Sequence, residues 1–228
     1  MELLEKRGML ETYNAQIQDY LDRGVWKPVS MDQIRDWKAD GNPLHYVSHH
    51  GVENSHSKST PLRVVVNSAT KNNHTGPSIN DVYAKGPNSI NSLYAVMVRW
   101  REFDEAMIYD ISKAYHTMHT TDKELYMRLV VWRMSEDDDW QVFGHCVVGM
   151  GDGPASVFLE LSKEKGAEAG EKIDPLAAKQ LVKQGYVDDN CGGGTKDDVQ
   201  RMRGEIIAND DGTYTFTGTV PKVLATIG

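Results

Sequence analysis

Apolar positions recur near helical spacing at the start of the chain. Leu3, Leu4, Leu10, Ile17 and Leu21 predict one amphipathic helix over residues 1–23. Gly24 and Pro28 end it. Ser30 with Gln33 three positions on has the form of a capping box, and predicts a short helix toward Trp37. Trp26 and Trp37 read as packing residues. Residues 45–50 read as a strand entering a loop, and residues 62–66 as a strong strand. Residues 54–61 and 67–78 are polar and loop-like. After Gly86 and Pro87, residues 88–101 predict a helix with Ile90, Leu93, Met97 and Trp100 inward.

The second half alternates more strongly. Residues 106–109 have the pattern of a buried strand, and that strand delivers Asp110 at its end. Residues 125–134 and 140–148 predict a hairpin, joined by a solvated acidic run at 135–139. A glycine-rich loop at 149–154 precedes a helix over 155–165. It is not a P-loop, because no Lys-Ser/Thr pair follows it. Asp174 and Pro175 open a second helix ending near Gly185, where a strand begins at Tyr186. Residues 209–212 predict a hairpin turn flanked by Ile206, Ile207, Tyr214 and Phe216.

Composition narrows the class. Of 228 residues, 25% are charged and 39% hydrophobic, as in a globular chain. There is no internal repeat. Cys146 and Cys191 make neither a disulfide framework nor a zinc spacing, which fits a reducing compartment. His49, His50, His56 and His74 match no zinc pattern. The sequon at Asn73 is read as chance. The start lacks the apolar core of a signal peptide, and no stretch is long and apolar enough to span a bilayer. A cytoplasmic protein without a membrane partner is expected. The net charge of −8 argues against a generic nucleic-acid clamp, without excluding a polymerase that needs acids for catalysis.

The chemistry concentrates at Tyr186-Val187-Asp188-Asp189, which residues 190–194 follow as Asn-Cys-Gly-Gly-Gly. Two carboxylates about 5 Å apart repel by roughly 3 kcal/mol at an effective dielectric of ~20. A hard divalent cation relieves that repulsion, and magnesium takes one or two protein carboxylates beside substrate phosphates. With Asp110 as a third acid, a metal pair that clamps an in-line phosphoryl displacement becomes the sharp reading. The bland one is a solvated Asp-Asp turn beside glycine.

Taken in order, several segments resemble the reverse transcriptase of the Pao/BEL group of LTR retrotransposons. They are His45-Tyr46-Val47-Ser48-His49-His50, Leu62-Arg63-Val64-Val65-Val66, Ser78-Ile79-Asn80-Asp81 with Gly86-Pro87, Asp110-Ile111-Ser112-Lys113-Ala114-Tyr115, Gly151-Asp152-Gly153-Pro154, and the Tyr186–Asp189 signature. The likeness runs from about residue 20 to the end. Asn67 stands where the family usually has Asp, and Gly153 where it has a basic or polar residue.

The resemblance implies an α+β, right-hand polymerase fold with an antiparallel palm sheet backed by helices. It implies an N-terminal helix at 1–19, fingers at 20–85 and 118–148, and an incomplete palm at 86–117 and 149–228. Asp110, Asp188 and Asp189 would be catalytic and would hold two Mg2+ ions (Mn2+ as a substitute), with the Ile111 carbonyl as a further ligand. Arg63, Tyr115, Lys58, Gly151 and Pro154 would contact the dNTP, Tyr115 as the gate against ribose. The implied activity is RNA-directed DNA polymerisation on a primed RNA or DNA template. The family's thumb, ribonuclease H, protease and integrase segments do not follow Gly228, so a polyprotein fragment of weak processivity is expected. The alternatives are a non-catalytic retroelement remnant acting as a binding module, and an unrelated metal phosphotransferase.

Overall fold

The computed structural model describes residues 2–53, 61–72 and 76–227. In chain order the described elements begin α1 (Glu2–Lys6), α2 (Leu10–Asp22), β1 (Trp26–Pro28), α3 (Met31–Ala39), β2 (Ser48–Glu53), β3 (Leu62–Asn67) and α4 (Ile79–Val82). They continue with α5 (Leu93–Trp100), β4 (Glu105–Asp110), β5 (Leu129–Trp132), β6 (Gln141–His145), α6 (Ala155–Gly170) and α7 (Pro175–Lys183). The last are β7 (Gly185–Tyr186), β8 (Asp189–Gly194), α8 (Lys196–Arg203), β9 (Ile206–Ala208), β10 (Tyr214–Phe216) and α9 (Thr219–Leu224). The class is α+β with antiparallel sheets. No helix among the described residues is long and apolar enough to cross a membrane.

The chain folds as two units: Met1–Ala84 with His119–Gly153, and Lys85–Met118 with Pro154–Gly228. In the first, β1, β6 and β5 form one sheet and β2 with β3 another. Their core gathers Tyr13, Ile17, Trp26, Leu62, Val64, Val130, Trp132 and Phe143. The N-terminal helix is two helices, not one: Gly8 turns the chain at φ 65, and Leu3 stays exposed. The fully buried residues are Tyr13, Ile17 and Tyr20, at a helical 4-then-3 spacing, and the expected Leu4, Leu10 and Leu21 pack partly buried against the same core. Gln16 then treats the backbone of β3 as a strand partner. Its amide donates to Leu62 O and accepts from Val64 N–H at 2.8 Å, covering a free sheet edge. The capping box at Ser30 forms as read, Trp26 is fully buried, and β5 and β6 make the expected hairpin.

In the second unit β4, β8 and β7 form an antiparallel sheet in that order. The helix predicted over 88–101 starts only at Leu93. Leu93 and Met97, read as inward, are exposed, and Val96 is the buried residue. Trp100 meets the expectation differently, through its indole N–H to Gly192 O at 3.0 Å. Within β4, Met107 and Tyr109 are buried while Ile108 is exposed, so the strand has one wet face. The glycines after the acids form strand rather than loop. A Cβ at Gly193 would come within 2.4 Å of Phe103, so only glycine lets that ring cover the strand. Asp174 caps α7 by accepting from Leu176 and Ala177 N–H. The hairpin turn at 209–212 joins β9 to β10.

Candidate functional site

The site begins with a strand register. β4 and β8 pair antiparallel so that Asp110 and Asp189 stand directly opposite each other. Opposed residues share one face of a sheet with Cβ atoms about 4.5–5.5 Å apart, and like charges placed so are destabilising. Both side chains reach solvent, so the cost is nearer 1 kcal/mol than the ~3 kcal/mol of a drier site. A divalent cation turns that cost into a gain.

Asp188 lies at the second central position of the two-residue turn from β7 to β8, closed by Tyr186 opposite Asp189. Val187, at the first central position, has φ 56. That is the pattern of a type II′ hairpin turn, which normally has glycine there. A β-branched residue in this region is an outlier with a cost of about 1–3 kcal/mol, and such residues gather at functional sites. Lys113, at φ 54, is the other non-glycine residue with positive φ among the described residues. It follows Asp110 by three positions and opens the 3-10 turn Ala114–Thr117 that carries Tyr115. Both strained residues therefore border the candidate acids.

Buried polar groups hold the turn from beneath. Lys163 of α6, fully buried, donates from Nζ to Val187 O at 2.8 Å. Its ammonium also faces Glu160 Oε1 at 2.8 Å as an ion pair. The Val187 backbone N–H in turn favours the charged form of the Glu160 carboxyl. Buried Asn190 donates to Asp188 O at 2.9 Å. A Cβ at Gly185 would lie 2.5 Å from Lys163 Nζ, so a glycine is what admits the ammonium. Burial pushes the Glu160 carboxyl up, partly offset by Lys163. Burial pushes the Lys163 ammonium down, partly offset by Glu160 and Asp188.

Tyr115 is 9% exposed. Burial raises its phenol pKa, a hydrogen bond with Ser156 lowers it, and the nearby Asp188 charge raises it. The Ile111 carbonyl accepts from Ala114 N–H at 3.1 Å, which leaves it one lone pair. Half-buried Cys191 shares the strand face of Asp189. Burial raises its thiol pKa and the Asp189 charge adds to the rise.

Other sequence candidates fall elsewhere. Arg63, on β3 of the first unit, is exposed, and its guanidinium reaches Met150 Sδ at 4.0 Å. Gly151 sits in the same unit, where Asn80 braces the loop by donating to Gly151 O and accepting from Gly153 N–H, both at 2.8 Å. That loop is locked by buried Asp152, which pairs with buried Arg128 at 2.6 Å. Asp152 also accepts from Gly149 N–H at 2.9 Å and from the Ser68 hydroxyl. Pro154 belongs to the second unit as the N-cap residue of α6. Lys58, His56, His74 and the sequon lie outside the described residues. His49 is half-buried and bonded to Tyr13 and Val131. A groove of about 320 Å³ between α6 and α7, lined by Glu164, Glu168, Lys179 and Lys183 among others, contains none of the candidates.

The donor set fits magnesium in part. Two exposed carboxylates on one sheet face suit an ion that completes its shell with substrate phosphates and water. Among the described residues, no three His, Cys, Asp or Glu side chains gather as a ready-made metal cage. Sequence reasoning missed Glu160, Lys163, Asn190, Arg128 and Asp152 as parts of the scaffold. The i,i+3 spacing of Glu160 and Lys163 was visible, but it looks like any solvated helix pair until burial is known. Neither the protein-family models nor the curated proteins contain a match to this chain.

Proposed function

We propose that the chain is a nucleotidyltransferase of the RNA-directed DNA polymerase type, with a right-hand fold whose palm sheet is β4, β8 and β7. The observation that carries this is the direct opposition of Asp110 and Asp189 beside a strained, side-chain-braced turn that presents Asp188. Carboxylates placed so that they repel, next to backbone held out of its preferred region, suit a charge-binding site better than a solvated turn.

Asp110, Asp188 and Asp189, with the Ile111 carbonyl, would hold Mg2+ or Mn2+. Bound metal supplies a more acidic primer 3′-OH and a steadied pyrophosphate leaving group. The chain's own contribution is position: rigid strands fix two carboxylates and the braced turn fixes the third. Tyr115 would present its ring edge to the sugar and exclude a 2′-OH. The Arg63 guanidinium, free of any close carboxylate partner among the described ion pairs, would take the triphosphate in a fork. Gly151 and Pro154 would border the templating pair, and Lys58 would assist at the phosphates. The partners implied are a primed RNA or DNA template, a dNTP, and other segments of an intracellular polyprotein.

A second reading is a non-catalytic binding remnant, which the lack of a three-acid cage among the described residues favours. Primer extension on an RNA template with Mg2+ or Mn2+ separates the two. Wild-type chain should add dNTPs, and Asp188→Asn should lose the activity. Equal signal from both would overturn the catalytic assignment, and no signal from either would favour the remnant.

A further inference from the structure

We propose that the buried Glu160–Lys163 pair is a positioning device in which Lys163, with Glu160 as its counter-charge, holds the Val187 carbonyl and so sets the placement of Asp188 and Asp189. Its catalytic consequence rests on the nucleotidyl-transfer reading above; the grip itself does not.

Four observations carry it. Lys163 Nζ, fully buried, donates to Val187 O at 2.8 Å. Glu160 lies 2.8 Å from that ammonium and supplies its counter-charge. One helical turn of α6 therefore supplies a charge-balanced donor to one residue, and that residue is the one held at φ 56. Gly185 leaves the space the ammonium needs, since a Cβ there would meet Nζ at 2.5 Å and Asn190 Oδ1 at 2.6 Å. Asn190 completes the frame on Asp188 O.

Stability does not explain such a pair. Removing two charges from water is costly, and well-packed apolar residues of similar volume are often equal or better for the fold. What an apolar pair cannot do is donate a hydrogen bond to a backbone carbonyl. A valine at positive φ reverts to the β region unless the surroundings over-determine it. The two charged groups do that here, and the adjoining acids inherit the geometry.

The test is the doubly neutral variant Glu160→Gln/Lys163→Met in the full chain. It leaves no unpaired buried charge but removes the donor to Val187 O. Circular dichroism should show the fold retained. By NMR, the Val187 and Asp188 amides should exchange with solvent at least tenfold faster than in wild type. In primer extension, kcat should fall at least tenfold while KM for dNTP changes less than twofold. Unchanged amide exchange in the folded double variant would overturn the grip. Faster exchange with unchanged kcat in an active wild type would overturn its catalytic role. If wild type extends no primer, the polymerase reading fails while the exchange result still decides the grip. Should the double variant not fold, wild type alone decides. Its Lys163 ammonium protons should exchange with water slowly enough to give a 15N-edited signal, and a fast-exchanging ammonium would overturn the proposal.

Discussion

His49 shows how little a residue type says before its neighbours are known. Val131 O can only accept, so His49 Nε2 carries the proton at 3.1 Å, and Nδ1 accepts the Tyr13 hydroxyl at 2.6 Å. Trp26 and Trp132 pack edge-on against the ring. This neutral tautomer has no vacancy for a metal. Burial holds its pKa below the ordinary 6.5, only partly offset by Val131. The folded state thus favours neutral His49, so its contribution is present above pH 6.5 and is lost as pH falls toward the lowered value. His49→Phe keeps a ring but orphans the Tyr13 hydroxyl. It should cost about 1–3 kcal/mol at pH 7.5 in urea denaturation. The deficit should shrink between pH 6.5 and 5, and a constant deficit would reject this account. Tyr115 is the residue-scale test of the proposed chemistry. Tyr115→Phe should keep sugar selectivity because the ring remains, whereas Tyr115→Ala should admit ribonucleotides in a competition assay.

Among the elements, α7 owes its start to one carboxylate with several duties. Asp174 caps the helix at Leu176 and Ala177, pairs with Arg201 of α8 at 3.0 Å, and accepts the Thr219 hydroxyl at 2.5 Å at the start of α9. Burial acts to raise its pKa, but the bonds from Arg201, Thr219 and Ala177 outweigh that and hold it below 3.8. A depressed carboxylate stabilises the fold above its unfolded pKa and loses that contribution as pH falls through the folded value. Asp174→Ala should therefore cost about 2 kcal/mol at pH 7. The gap from wild type should close only below about pH 4. Local signals made this element legible: Asp-Pro at its start, and likewise Ser30 with Gln33 for α3. Helix faces were less so. The periodicity of residues 1–23 found Ile17 and the flanking Leu4, Leu10 and Leu21 that pack against the core, but not Tyr13 and Tyr20, because large aromatics fill a core that leucine spacing alone does not locate. The acids of the candidate site were legible as residues. Their register across β4 and β8 and the buried frame under Val187 were not, since both depend on contacts distant in sequence.

For the whole molecule, 33 acidic residues against 25 basic ones leave a net charge of −8. Self-repulsion of that size weakens a fold, and added salt screens it. NaCl should therefore raise Tm modestly in wild type and variants alike. Magnesium at matched ionic strength should do more, because binding to the native state alone stabilises it by RT ln(1 + [Mg2+]/Kd), about 1.4 kcal/mol at ten times Kd. Asp189→Asn separates screening from binding. In EDTA the variant lacks one of two opposed charges and should be more stable than wild type by roughly 1 kcal/mol. In MgCl2 the order should reverse, because the variant has lost a ligand while wild type gains the bound ion. Amide exchange in β4 and β8 should follow the same reversal, placing the effect at Asp110 and Asp189. Equal magnesium responses in the two proteins, or a variant already less stable in EDTA, would mean that the opposed acids are not a cation site.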